Sequence, residues 1–193
     1  LPRCPEVAAR AYAKKAELPF EPVFYKMRGE RSFQGSTAGE RRQSIGQNLH
    51  LLLGMAQKLQ GKTVVLLNDS ILRGNNSKRA RELLNEEAGV AKAYLVSYTP
   101  PIGIVGDDGV PRGCTFGVDM PPDPPPGDEF IARGRTLEEI GQKMEMPVVY
   151  LSLEGMLAAF EQAGLPERDL CTFCIGGRMP YEAAGSLIQI GDK

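Results

Sequence analysis

The sequence predicts an α/β fold with a mostly parallel sheet flanked by helices and an irregular C-terminal segment. Two observations carry that expectation. Residues 62–68 (KTVVLLN) and 91–98 (AKAYLVSY) are near-continuous apolar runs with little alternation, as strands covered on both faces require. Between them, residues 76–88 place Ala80, Leu83 and Leu84 at helical spacing and stop at Gly89. Strand, helix and strand in about 35 residues read as a right-handed βαβ crossover. At 193 residues the chain is long enough for one domain with its own core and short for two.

Taken in order, residues 5–17 (PEVAARAYAKKAE) predict a helix with Pro5 in its first turn. Residues 20–26 (FEPVFYK) read as a short strand, expected beside 62–68, with 62–68 central in the sheet. Residues 27–39 are polar, basic and glycine-containing, and predict a mobile loop. Residues 40–60 predict one long helix, since Ile45, Leu49, Leu52, Ala56 and Leu59 recur at steps of four and three. Gly61 then stands where a C′ glycine belongs. Residues 99–134 are rich in proline and predict an irregular loop. Residues 136–144 and 153–163 read as helices, with a short strand at 147–151 between them, and Met144, Met146 and Met156 as core residues. His50, the only histidine, falls in the long helix as a packing or surface residue.

Composition narrows the function classes. Lys plus Arg is 23 and Asp plus Glu is 24, a net charge of −1, which argues against a nucleic-acid or anionic-membrane footprint. No apolar run reaches the roughly 18 residues that span a bilayer, and no secretory signal opens the chain, so a cytoplasmic setting is expected. The 22 Gly and 15 Pro predict many turns and long ordered loops. The chain starts at Leu1, which reads as a piece of a longer protein. Four cysteines, Cys4, Cys114, Cys171 and Cys174, leave redox, metal and incidental readings open, and only Cys171 and Cys174 form a CxxC.

The segment that carries chemistry is VVLLNDSILRGNNS, residues 64–77. A buried strand ends at Asn68-Asp69 and runs through a small, polar turn into a helix. Ligands of open α/β sheets bind at the carboxyl ends of strands. A turn of this kind offers helix N-terminal amides to a phosphate, while acids at the strand end reach sugar hydroxyls or hydrated Mg²⁺. A ribose 5′-phosphate satisfies both halves. An ordinary strand–loop–helix connection with capping side chains is the alternative.

This segment resembles the phosphoribosyl pyrophosphate signature of type I phosphoribosyltransferases, and DSILRGNNS is most similar to the glutamine amidophosphoribosyltransferase version, the family of the first committed step of purine synthesis. Residues 95–120, ARGRTLEEI at 132–140, YLSLEGML at 150–157 and CTFC at 171–174 resemble further family segments in the same order. The resemblance covers residues 1–180. It implies that Asn68, Asp69, Ser70, Arg73, Gly74, Asn75, Asn76 and Ser77 bind phosphoribosyl pyrophosphate, with Asp69 on the ribose and residues 73–77 on the 5′-phosphate. It implies Mg²⁺ at Asp69, weakened at Asn68, where the family has a first acid. Asn75 and Asn76 stand for two family threonines.

It also implies that residues 26–34 are the family's flexible cationic loop, with Lys26 and Arg31 stabilising departing pyrophosphate. Cys114, Cys171 and Cys174 fall on three of the four thiolate positions of the [4Fe–4S] cluster that some members hold, so iron–sulfur, zinc or no metal are the readings for them. Leu1–Cys4 falls on the pyrophosphate loop, with Arg3 for the family's acid and Cys4 for its serine. No glutaminase domain corresponds to any part of the chain. The implied partners are phosphoribosyl pyrophosphate and purine nucleotides, with a homo-oligomer or an upstream chain supplying the rest, and the 193 residues alone are expected to be inactive. The altered positions 3, 4 and 68 keep a second reading open, a lapsed nucleotide-binding or regulatory module. A phosphoribosyltransferase acting on a free base is a third, against which the cysteine positions and LSLEG speak.

Overall fold

The computed structural model describes residues 1–2, 5–27, 48–114, 116 and 120–179. In chain order its elements are α1 (Glu6–Lys15), β1 (Phe24–Lys26), β2 (Leu49–Leu51), α2 (Met55–Leu59), β3 (Thr63–Asn68), α3 (Asn75–Glu82), β4 (Lys92–Ser97), α4 (Leu137–Met144), β5 (Val148–Tyr150) and α5 (Leu153–Gln162). The architecture is α/β. A parallel sheet of order β3-β4-β5 carries the βαβ crossover through α3, and a separate two-stranded antiparallel sheet pairs β1 with β2.

Alternation along the strands decides what each face meets. Leu66, Leu95 and Val148 are buried together with Ala80, Leu83 and Leu84 after β3 and with Ile140 and Met144 of α4. On the opposite face Val65, Tyr94 and Val96 are half-buried, and Val149 is 51% exposed. Leu67, on that same face, is buried, so cover there is uneven among the described residues.

Three expectations change. Residues 63–68 are not central: β4 lies between β3 and β5, and β3 has one strand neighbour among the described residues. The amino group of Leu1 donates to Leu67 O at 2.7 Å along the other side of β3. The run at 20–26 yields only Phe24–Lys26, and it pairs with Leu49–Leu51 rather than with β3. Leu49, His50 and Leu51 are strand, not helix, so the single long helix expected over 40–60 is interrupted there; among the described residues of that span Asn48 and the five residues of α2 are helical, and residues 40–47 lie outside the described residues. Leu49 and Leu51 also flank His50 at the step of two that a strand uses, a spacing the helical series passes over. Gly54, at φ +79°, then starts α2 in a left-handed conformation open to glycine. His50 stacks on Tyr25 across the pair, with ring centroids 5.2 Å apart.

The remaining elements fall where their patterns put them. α3 runs on through a π-helical turn at Leu83–Glu87, which buries both Leu83 and Leu84. α4 starts in a capping box: Glu139 N donates to Thr136 Oγ1 at 3.2 Å, and Thr136 N donates to Glu139 Oε2 at 2.7 Å. Met144 and Met146 are in the core, and Met156 is half-buried. The proline-rich stretch is irregular apart from a bridge between Val105 and Pro111. Arg133 orders it by donating to three carbonyls, Gly103 O at 2.8 Å, Arg112 O at 2.7 Å and Pro122 O at 2.6 Å. One guanidinium thus satisfies backbone groups that no sheet ladder pairs. Among the described residues no helix is long and apolar enough to cross a membrane.

Candidate functional site

The carboxyl end of β3 and the turn into α3 form a continuous polar surface. Asn68, the last residue of β3, is buried. Its Nδ2 donates to Ser70 O at 2.9 Å and to Ser77 Oγ at 3.2 Å, and its Oδ1 accepts from Asp69 N at 3.0 Å. Asp69 comes next, half-buried, with Oδ1 accepting from Ser70 N at 2.9 Å. From the adjacent strand end, Thr99 Oγ1 donates to Asp69 O at 2.9 Å, with Ser97 Oγ 3.4 Å from the same oxygen. The chain then reaches Gly74, whose φ of +81° makes it the N-cap of α3. No side chain caps this helix. The first amides of a helix have no intrahelical acceptor, so Asn75, Asn76 and Ser77 present donors at its positive end.

Arg73 is engaged elsewhere. Its Nε lies 2.7 Å from Asp128 Oδ1 and its Nη2 donates to Asp128 Oδ2 at 2.8 Å, a two-pronged ion pair with side chains only 16% and 7% exposed. The fully buried ring of Phe130 receives the guanidinium groups of Arg73 at 5.8 Å and Arg133 at 5.1 Å. A cleft of about 200 Å³ opens on this side, lined by Arg73, Asn75, Lys78, Asp128, Arg135 and Lys143 among others.

Residues 68–77 thus run from the end of β3 through the turn into the first turn of α3. Lys26 sits on β1, paired with Leu49 of β2 in the second sheet. Arg31 and residues 28–39 of the expected mobile loop lie outside the described residues, as do Arg3 and Cys4. Sequence reasoning missed Ser97, Thr99 and Asp128. Ser97 had a signal, since it closes an apolar strand at the end where ligands bind. Asp128 had none, because its partner is 55 residues away.

Cys114, Cys171 and Cys174 share one region. Burial pushes the Cys174 thiol up from its ordinary range, and the neighbouring Cys114 and Cys171 push in the same direction. Among the described residues no group of three or more His, Cys, Asp or Glu side chains is arranged to hold an ion. Three thiols are also one short of the four a [4Fe–4S] cluster takes. The described thiols supply at most three of its ligands. For Mg²⁺ the strand end offers the Asp69 carboxylate. The Asn68 amide brings no charge to a cation, and its Nδ2 and one lone pair of its Oδ1 are engaged with the loop.

No protein-family model matches the chain. Among curated proteins, the amidophosphoribosyltransferase of Archaeoglobus fulgidus is 31% identical over 180 residues, 92% of this chain and 36% of the relative. The chain is a homologue of the amidophosphoribosyltransferases. That of Bacillus subtilis is 29% identical over 181 residues, covering 91% of this chain and 34% of the relative. That of Rattus norvegicus is 28% identical over 214 residues, covering 94% and 37%. The chain thus spans about a third of the length of these amidophosphoribosyltransferases, and a match over nine-tenths of it takes in the loop at 68–77.

Proposed function

We propose that this chain is the phosphoribosyltransferase portion of a cytoplasmic amidophosphoribosyltransferase of purine synthesis. The observation that carries the reading is homology to amidophosphoribosyltransferases along nine-tenths of the chain. Ammonia, free or delivered from glutamine, attacks C1 of phosphoribosyl pyrophosphate. The new C1–N bond replaces the C1–O bond to pyrophosphate, and the nitrogen sheds a proton to give phosphoribosylamine. The protein makes no covalent bond to the substrate in this scheme, so its contribution is positioning and charge stabilisation.

Asp69 accepts hydrogen bonds from the ribose hydroxyls through the carboxylate oxygen that Ser70 N does not use. Ser70 and the amides of Gly74, Asn75, Asn76 and Ser77 receive the 5′-phosphate at the positive end of α3. Arg73 contributes through its tie to Asp128, which fixes the loop, more than through direct contact. Mg²⁺ arrives as the counter-ion of the substrate's pyrophosphate, the usual way this cation is held. Lys26 and Arg31 then meet the departing pyrophosphate.

One observation favours a second reading, a nucleotide-binding module without turnover: a buried amide with three hydrogen bonds to the loop stands at 68 in place of the family's first acid. Pyrophosphate release from phosphoribosyl pyrophosphate, Mg²⁺ and ammonia separates the two when measured on the full natural chain. Release that falls at least about 10-fold in Asp69→Ala supports the enzyme. Absent release, with ribose 5-phosphate still bound, supports the module. Absent release and absent binding overturn both.

A further inference from the structure

Position 68 is where this chain departs from the acid pair that the family resemblance implies, and the hydrogen bonds there state what the replacement does. Asn68 is 6% exposed. Its two amide hydrogens go to Ser70 O and Ser77 Oγ, and its oxygen takes Asp69 N–H. One side chain thus joins the strand end, the turn and the first turn of α3. Because Asn68, Ser97 and Tyr150 stand in register across three strands, the clasp is anchored to the C-terminal row of the sheet. Ser97, 1% exposed, and Thr99 hold Asp69 O from the next strand, so Asp69 is fixed on both sides.

We infer that Asn68 is a positioning residue for the loop at 69–77, and that the strand end offers a ligand one carboxylate, Asp69, rather than an acid pair. An aspartate at 68 would keep the acceptor for Asp69 N–H but would lose both donors. The Ser77 hydroxyl can turn to donate toward it. The Ser70 carbonyl cannot, and would face a buried carboxylate. Restoring the acid therefore disturbs the loop that shapes the site, instead of adding a ligand for Mg²⁺ or ribose. The binding part of this inference rests on the proposed function, whereas the clasp itself does not.

Amide hydrogen exchange and calorimetric titration with ribose 5-phosphate, each with and without Mg²⁺, test the two parts separately on the wild type, Asn68→Ala, Asn68→Asp and Ser77→Ala. In Asn68→Ala the Asp69 amide should exchange at least about 10-fold faster and the Kd for ribose 5-phosphate should rise about 10-fold. Leu95, which donates to Pro147 O in the sheet, should keep its protection, marking the change as local. Asn68→Asp should leave the Asp69 amide protected but weaken binding about as much, whether or not Mg²⁺ is present. Should either Asn68 variant fail to fold, Ser77→Ala removes only one acceptor and should still speed Asp69 exchange several-fold. Unchanged Asp69 exchange in Asn68→Ala, or in Ser77→Ala where that variant stands in, overturns the clasp. Tighter binding by Asn68→Asp in Mg²⁺ overturns the single-carboxylate site. A wild type that does not bind ribose 5-phosphate counts against the proposed function and leaves the exchange result to decide the clasp.

Discussion

Gly74 adopts φ +81°, and a Cβ added there would lie 2.6 Å from Met144 Sδ and 3.1 Å from Ile131 Cδ1. The left-handed conformation alone costs a residue with a Cβ about 1–2 kcal/mol, and overpacking adds a similar amount. Gly74→Val should therefore lose about 3 kcal/mol of stability in denaturant unfolding. The glycine pattern predicts a residue that lets backbone approach a ligand. The structure adds helix-end conformation and packing under α4, so weaker binding in this variant would follow from a displaced loop as well as from blocked backbone approach. The cysteines differ from one another by exposure. Cys171 is exposed, while burial and the neighbouring thiols raise the pKa of Cys174. Since the thiolate is the nucleophile, Cys171 should be alkylated faster than Cys174 at neutral pH, with the gap narrowing as pH rises. Peptide mass spectrometry after timed iodoacetamide treatment checks this, and equal rates would contradict it.

At the level of elements, α4 depends on its first turn. The Thr136 backbone N–H, and then the Thr136 hydroxyl, hold the Glu139 carboxyl below its ordinary range. A carboxylate whose pKa is lowered on folding stabilises above its unfolded value, and that contribution fades as pH falls through the folded one. Glu139→Gln should therefore melt below the wild type at pH 7, and the difference should shrink as pH drops below about 4. A difference constant across that window would remove Glu139 from the cap. α5 contrasts with α4: it has a Ser152 cap to Gly155 N at 3.0 Å but no buried residue. Helical periodicity found both helices, but said nothing about how deeply each packs.

Across the whole molecule, the Arg73–Asp128 pair ties the turn after β3 to the proline-rich segment 55 residues further on, and Ile131 N donates to Leu72 O at 2.7 Å beside it. Removing one partner strands a charge in a poorly solvated place. Asp128→Ala should cost about 3–5 kcal/mol, measured by denaturant unfolding. The paired replacement Arg73→Met with Asp128→Leu should cost much less, because no charge is left unpaired. Equal losses would mean that the pair contributes shape rather than charge.

Local chemistry was legible in the residues themselves. The apolar runs at 62–68 and 91–98, the helical spacing between them and the polar turn at 68–77 report burial and backbone conformation, which nearby residues set. The helix over 136–144 and the turn glycines at 61, 74 and 89 are of the same kind, since each depends on hydrogen bonds or φ angles within a few positions. Partners were not legible. An apolar strand carries no mark of which strand lies beside it, so the pairing of residues 63–68 with β4, and of Phe24–Lys26 with Leu49–Leu51, came only from the assembled fold. The same limit hid the role of Asn68 and the partner of Arg73. An amide and a guanidinium are defined by the groups they meet: the path of the turn brought Ser77 to one, and long-range packing brought Asp128 to the other.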